Sequence, residues 1–143
     1  MTDIVSKQLE SLRFEYEHIQ IDRIGHLVQH YSINALFKDP FQEVRGRDAI
    51  SRIFRNMFAQ LDSPSFTVTS LVHRDLEASL LWEFHFRFKR WNTAPQSITG
   101  VSWLTLDECG LITSHIDYWD PAEGIYEQLP LIGSLMRFLK KRV

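Results

Sequence analysis

The segment His115-Ile116-Asp117-Tyr118-Trp119 carries an imidazole and a carboxylate at alternate positions. Successive side chains of a β-strand point to opposite faces, so a strand here places His115, Asp117 and Trp119 together and turns Ile116 and Tyr118 away. An imidazole beside a carboxylate can remove a proton from a substrate or activate a water molecule. This face therefore either meets solvent or lines a cavity.

A second polar pair lies in the strongly alternating segment from Leu80 to Arg90, where Glu83 and His85 share one face. The opposite face is aromatic: Trp82, Phe84, Phe86 and Phe88. Alternation alone favours an aromatic core face and a charged solvent face. Because two strands pair histidine with carboxylate, we expect instead that both polar faces meet inside a curved sheet. The concave face would wrap a cavity, and the convex aromatic face would pack against a second subunit.

Helices precede these strands. Helical spacing predicts a first helix through the apolar residues Val5, Leu9, Leu12 and Tyr16. A second helix, capped by Asp22, is predicted to extend as far as Tyr31, and a third, capped by Asp48, as far as Leu61. A final amphipathic helix is predicted at 131–141.

The second half of the chain changes to a period of two. It predicts strands at 66–73, 80–90, 98–106 and 111–119, after a short strand at 35–38. Asp107-Glu108-Cys109-Gly110 fits a tight hairpin with Gly110 in a left-handed conformation. Helices followed by antiparallel strands predict an α+β fold, with the helices on one face of the sheet.

Composition narrows the function classes. With 143 residues, 44% hydrophobic and 24% charged, the chain is expected to be one globular domain over 1–143, with a core at about 7–128 and a helical extension at 129–143. A net charge of −2 argues against a nucleic-acid partner. No apolar run reaches the roughly 18 residues that cross a bilayer. A single cysteine and no signal-peptide pattern favour the cytoplasm.

Three segments carry a resemblance to a known family: Phe37-Lys38-Asp39-Pro40-Phe41, Gly46-Arg47-Asp48-Ala49-Ile50, and the ending from Gly110 to Asp120. Together with the order of elements, they resemble the nuclear transport factor 2-like superfamily, in its SnoaL-like and ketosteroid isomerase-like branch. The resemblance implies a cone-shaped, curved antiparallel sheet wrapped around three N-terminal helices. It also implies an internal pocket and a homodimer formed through the convex face of the sheet.

Compared with ketosteroid isomerases, Asp39 falls at the position of the general base, just before Pro40. Ser102 falls where those enzymes keep a protonated acid that donates to the oxyanion. Their tyrosine donor falls near Glu15, with Tyr16 one residue away. The resemblance thus implies a base without the full set of donors, which disfavours steroid isomerisation.

Compared with limonene epoxide hydrolases, Asp117 falls at the position of the water-activating base. Glu83 and His85 replace the arginine and aspartate of the central strand, and Phe37 and Asp39 replace the tyrosine and asparagine that position water. Only Asp117 agrees, so the resemblance does not assign epoxide hydrolysis.

We predict a pocket for a small, largely apolar organic ligand, with acid–base catalysis by Asp39, His85 and Asp117. The remaining predicted pocket residues are Tyr16, Phe37, Glu83, Ser102, His115 and Trp119. No metal or other cofactor is predicted, because no compact ligand motif is present. Three alternatives stay open: a buried polar network that only fixes the sheet, a non-catalytic binding module, and a scaffold that binds proteins through its convex face or C-terminal helix.

Overall fold

The computed structural model describes residues 2–90 and 93–124. The helical elements are α1 (Thr2–Glu17), a 3-10 turn (Ile21–Arg23), α2 (Ile24–Val28), α3 (Arg47–Gln60) and α4 (Pro121–Gly124). The strands are β1 (Tyr31–Lys38), β2 (Glu43–Arg45), β3 (Leu61–Arg74), β4 (Glu77–Phe88), β5 (Gln96–Leu106) and β6 (Ile112–Tyr118). The α+β prediction is confirmed, and the helix predicted at 131–141 lies outside the described residues.

The six strands form one curved, unclosed sheet in the order β2-β1-β6-β5-β4-β3. The prediction of an antiparallel sheet is corrected at one place, since β1 runs parallel to β6. Parallel neighbours require a long connection between them. The chain supplies that connection by building α3 and four other strands of the sheet between β1 and β6.

The core lies between the concave face of the sheet and the helices. Val5, Leu9, Leu12 and Tyr16 of α1 are all buried, as their spacing predicts. Helix α3 adds Ile50 and Phe54 to the same core. The three N-terminal helices therefore cover the sheet in the way that the cone-shaped fold requires.

The second predicted helix ends earlier than expected. Helix α2 stops at Val28, and Tyr31 begins β1 with its side chain fully buried. Tyr31 lies four residues after Leu27, which fits a helix, and it also begins the segment that forms β1. Because Tyr31 fits both patterns, periodicity alone favoured the wrong element. This change places a tyrosine hydroxyl at the centre of the molecule.

The expected orientation of β4 is wrong. Its four aromatic side chains face the core and are at most 9% exposed: Trp82, Phe84, Phe86 and Phe88. Glu83 pairs with Thr67 and Thr99 on the outer face, where His85 also lies. The two polar side chains are about half exposed, at 47% and 46%. Simple alternation was the better guide, because burying aromatic surface is favourable and burying an unpaired carboxylate is costly.

The β5–β6 hairpin forms as predicted. Asp107 Oδ1 accepts hydrogen bonds from the backbone of Cys109 (2.9 Å) and Leu111 (3.0 Å), and Gly110 has a φ of +84°. This turn sets the register that pairs Ser102 with Asp117. The register decides which polar side chains meet on the concave face.

Candidate active site

Strand β6 places the central pair of the site. His115 and Asp117 lie on the concave face, as the alternation predicts, and each is paired across β5 with an inward residue, Leu104 and Ser102 respectively. His115 is 1% exposed, and the Asp117 side chain is 17% exposed. The Nε2 atom of His115 lies 2.6 Å from Asp117 Oδ1. Asp117 therefore pairs with the histidine of its own strand, and not with His85, which the sequence placed beside it among the catalytic residues.

The same carboxylate oxygen is held from a second side. Ser102 Oγ donates to Asp117 Oδ1 at 2.5 Å, and Trp82 Nε1 donates to Ser102 Oγ at 2.9 Å. Trp82, Ser102 and Asp117 occupy three adjacent strands, β4, β5 and β6. The sheet thus fixes the position of Asp117 through two short side-chain links.

Two buried tyrosines complete the network on the far side of the imidazole. Tyr31 Oη lies 2.7 Å from His115 Nδ1, and Tyr16 Oη lies 3.1 Å from the same nitrogen. The two hydroxyl oxygens are 2.5 Å apart. The Tyr31 ring also stacks on the imidazole, with an interplanar angle of 8°.

The hydrogen atoms of this network can be assigned by counting. With a neutral imidazole, Nε2–H of His115 donates to Asp117, Tyr31 donates to Nδ1, and Tyr16 donates to Tyr31. Every buried donor then has an acceptor. With a charged imidazole, Nδ1–H would donate to a tyrosine, and one hydroxyl hydrogen would lose its acceptor among the described residues. Since buried polar groups are nearly always satisfied, the hydrogen count among the described side chains favours the neutral imidazole, with Nε2–H of His115 donating to Asp117.

Burial keeps both tyrosines in their donor form. Desolvation raises the pKa of Tyr16 well above its usual range, and the neighbouring Tyr31 and Asp117 raise that pKa further. Desolvation also raises the pKa of Tyr31, although the hydrogen bond from Tyr16 opposes this rise. Both hydroxyls therefore stay protonated at neutral pH, so that Tyr31 can donate to Nδ1 of His115 and Tyr16 can donate to Tyr31.

A large cavity opens beside Asp117. Its volume is about 790 Å³, and most of its wall is apolar. Among the described residues, nine aromatic side chains line it: Phe37, Phe41, Phe54, Phe66, Trp82, Phe84, Phe86, Phe88 and Trp119. Among the residues that the structure describes, none donates a hydrogen bond to Asp117 Oδ2. The carboxylate thus has one oxygen held by the protein and one oxygen available to a bound molecule.

A much smaller void of about 20 Å³ lies behind the large cavity. Tyr16, Ser102, His115 and Asp117 all line it. Its size suits a single water molecule, and polar groups suitable for holding one are at hand. The polar network therefore borders space on two sides of Asp117.

Asp39 lies near Asp117, as predicted, but it serves the turn after β1. It follows the last parallel pair, Lys38 with Ile116, and lines the large cavity. Its Oδ1 accepts from the backbone of Phe41 (2.8 Å) and Gln42 (3.0 Å), and its Oδ2 accepts from the Gln42 amide (3.0 Å). These three bonds make Asp39 a turn-forming residue at the cavity wall.

The predicted aromatic lining residues are in place. Phe37 is buried and packs against His115, with ring centroids 4.6 Å apart. Trp119 lies against Phe41 in an edge-on contact at 5.4 Å. Both line the large cavity. Of the predicted residues, only Glu83 and His85 fall away from the site.

Sequence reasoning missed Tyr31 and Trp82 as members of the polar network. A signal existed for Trp82, because a buried indole N–H needs an acceptor and Ser102 is a short polar residue in the neighbouring strand. For Tyr31 no such signal existed, since its contact with His115 depends on the parallel pairing of β1 with β6. Within residues 2–90 and 93–124, no cluster of three or more potential metal ligands occurs. No helix in this described part is long and apolar enough to cross a membrane.

The fold and this site define a protein of the nuclear transport factor 2-like class. A family model described as a SnoaL-like domain matches residues 12–115, so the chain belongs to the SnoaL-like domain family. A comparison with curated proteins found no match.

Solved structures of the same fold come from several bacteria. A hypothetical protein with a ketosteroid isomerase-like fold from Catenulispora acidiphila, solved in complex with trimethylamine, has a TM-score of 0.74 and 16% identity, covering 86% of this chain and 93% of that one. A putative SnoaL-like polyketide cyclase from Shewanella denitrificans has a TM-score of 0.71 and 15% identity, covering 87% and 96%. A putative polyketide cyclase from Xanthomonas campestris has a TM-score of 0.73 and 11% identity, covering 89% and 98%. At these identities the likeness concerns the fold.

Proposed function

We propose that the protein binds a small, largely apolar organic molecule and removes a proton from it, with Asp117 as the general base. One observation carries this proposal: Asp117 Oδ1 is held by His115 and Ser102, and the same residue lines an apolar cavity of about 790 Å³. A carboxylate held in position beside a bound molecule can accept a proton from it. His115 and Ser102 are positioning residues in this account, because they act through Asp117.

The cavity wall supports the rest of the proposal. Nine aromatic side chains offer an apolar surface for the ligand, and a cavity of this size is within the usual range for small-molecule sites. Proteins of the same fold that are described as putative polyketide cyclases agree with a ligand of this kind. Proton abstraction next to a carbonyl is a reaction that such a site can support.

The experiment uses nitrobenzisoxazole, a flat, neutral probe that reports proton abstraction from carbon. The base takes the ring C–H proton, the N–O bond breaks, and its electron pair leaves on a coloured cyanophenolate. We expect the wild-type protein to catalyse this elimination with saturation. Asp117→Asn should lower kcat/KM by about 100-fold or more, while Glu83→Gln, which removes a carboxylate on the outer face, should change it less than about twofold.

Two results would contradict the proposal. One is wild-type elimination no faster than with an equal concentration of acetate. The other is an Asp117→Asn variant, folded by circular dichroism, that keeps the wild-type rate. Either result would favour the non-catalytic binding module.

We also propose that two copies associate through the outer face of the sheet. The residues that support this differ from the predicted β4 stripe, which faces inward. Adjacent outward positions carry large apolar side chains: Val72 (59% exposed), Leu81 (38%), Trp103 (44%) and Tyr118 (61%). A patch of this kind on a sheet is typical of a subunit interface.

A further inference from the structure

We infer that the preferred ligand is an organic cation, an amine or ammonium group with apolar substituents, whose charge lies at the Asp117 end of the cavity. The inference rests on the cavity of the proposed function. It requires an ionised Asp117, but it does not require that Asp117 act as a base.

The end of the cavity near Asp117 is lined by acidic side chains. With the imidazole neutral, as the hydrogen count favours, the Asp117 carboxylate has no ion-pair partner other than His115 among the described residues. Asp39 lines the same cavity and follows β1 at the level of Asp117. This end of the cavity thus carries two carboxylates.

Basic side chains also line the cavity, away from the level of Asp117. Among the described residues that line the cavity, two are basic, Lys89 and Arg90, and both are exposed. Lys89 Nζ donates to the carbonyl of Phe58 at 3.0 Å. Leu80 of β4 is level with Ser102 and Asp117 on the neighbouring strands. Lys89 lies nine residues farther along the chain, a contour length of roughly 30 Å measured along the strand. These cations lie at the opposite end of β4 from the level of Asp117 and would direct a ligand cation away from their own end.

Aromatic rings form much of the cavity wall between the acidic and the basic side chains. Aromatic faces attract a cation through the ring quadrupole, and the attraction increases when water is excluded. Next to Asp117 the wall includes Phe37, Trp82 and Trp119. A neutral apolar ligand would fit these rings, but it would leave the carboxylate without a counter-charge, which is unfavourable in apolar surroundings. An organic cation can contact the aromatic ring faces and supply the counter-charge of the carboxylate.

The experiment compares two probes of the same shape, para-hydroxyphenyltrimethylammonium and para-tert-butylphenol, by isothermal titration calorimetry. We expect the cation to bind wild-type protein at least about tenfold more tightly than the neutral isostere. Asp117→Asn should reduce this preference to about twofold or less and leave the affinity for the isostere within about twofold. Glu83→Gln, which removes an outer carboxylate, should keep the full preference.

Equal or tighter binding of the neutral isostere to the wild-type protein would overturn the inference. So would a preference that Asp117→Asn leaves unchanged, or no binding of the cation at millimolar concentration. The nitrobenzisoxazole assay separates this inference from the proposed function, because that probe is neutral. Elimination without a preference for the cation would refute the inference alone, and a preference for the cation without elimination would refute the base alone.

Discussion

Removing the two tyrosine hydroxyls, singly and together, tests the hydrogen-bond assignment around His115. Tyr31→Phe deletes the 2.7 Å donor to Nδ1, but Tyr16 Oη lies 3.1 Å from the same nitrogen and can replace it. Tyr16→Phe deletes only the bond to Tyr31 and leaves Nδ1 satisfied. Each single variant therefore loses one hydrogen bond, which costs about 1 kcal/mol of unfolding free energy.

The double variant behaves differently. It loses both hydrogen bonds and also leaves the buried Nδ1 of His115 without a donor, which costs a further 1 to 3 kcal/mol, roughly. The total loss should be about 3 to 5 kcal/mol, where addition of the single losses gives about 2 kcal/mol. The substituted rings keep their packing, including the stack of residue 31 on the imidazole.

Urea unfolding followed by circular dichroism measures this coupling, provided that the m-value stays constant across the four proteins. Nitrogen chemical shifts of the imidazole give an independent readout, because loss of both donors should move the Nδ1 resonance toward that of an imidazole nitrogen that accepts no hydrogen bond. Losses that add within about 0.5 kcal/mol would refute the reasoning. Such a result would mean that neither hydroxyl donates to His115.

Three other predictions concern packing, pH and assembly. Gly100→Ala should destabilise the fold by about 1 to 3 kcal/mol, measured by urea unfolding, because an added Cβ would lie 2.3 Å from the buried Trp82 ring; a neutral substitution would show that the indole is free to move. Burial lowers the pKa of His30 below 6.5. The buried, neutral His30 side chain therefore contributes fully to stability above pH 6.5. This contribution is lost as the pH falls through the lowered pKa of the folded state. The unfolding free energy of His30→Gln should fall less steeply over that acid range, and identical slopes would contradict this. If two copies associate through the outer face as we propose, Trp103→Lys should shift the protein toward monomer in sedimentation velocity, and an unchanged sedimentation coefficient would exclude the outer face.

Much of the fold could be predicted from local patterns. The helical spacing of α1, the alternation of the later strands and the Gly110 turn each depend on neighbours in the sequence, and each was confirmed. The parallel contact of β1 with β6 could not be predicted locally, because it joins segments more than 70 residues apart. That contact brings Tyr31 to His115.

The candidate site was predictable in part for the same reason. His115 and Asp117 sit two residues apart, so alternation placed them on one face correctly. His85 was assigned to that face because its strand also pairs histidine with carboxylate, but burial of the aromatic side chains decided the orientation of β4. Chemical similarity between two strands did not indicate which faces meet.

The role of Asp117 as a base is tested most directly by the rate of nitrobenzisoxazole elimination in Asp117→Asn relative to Glu83→Gln. Both variants replace one carboxylate by its amide, one at the cavity and one on the outer face of the sheet. The account predicts a kcat/KM lower by about 100-fold or more in Asp117→Asn alone, with equal thermal stability within a few degrees. Equal rates in the two folded variants would contradict it.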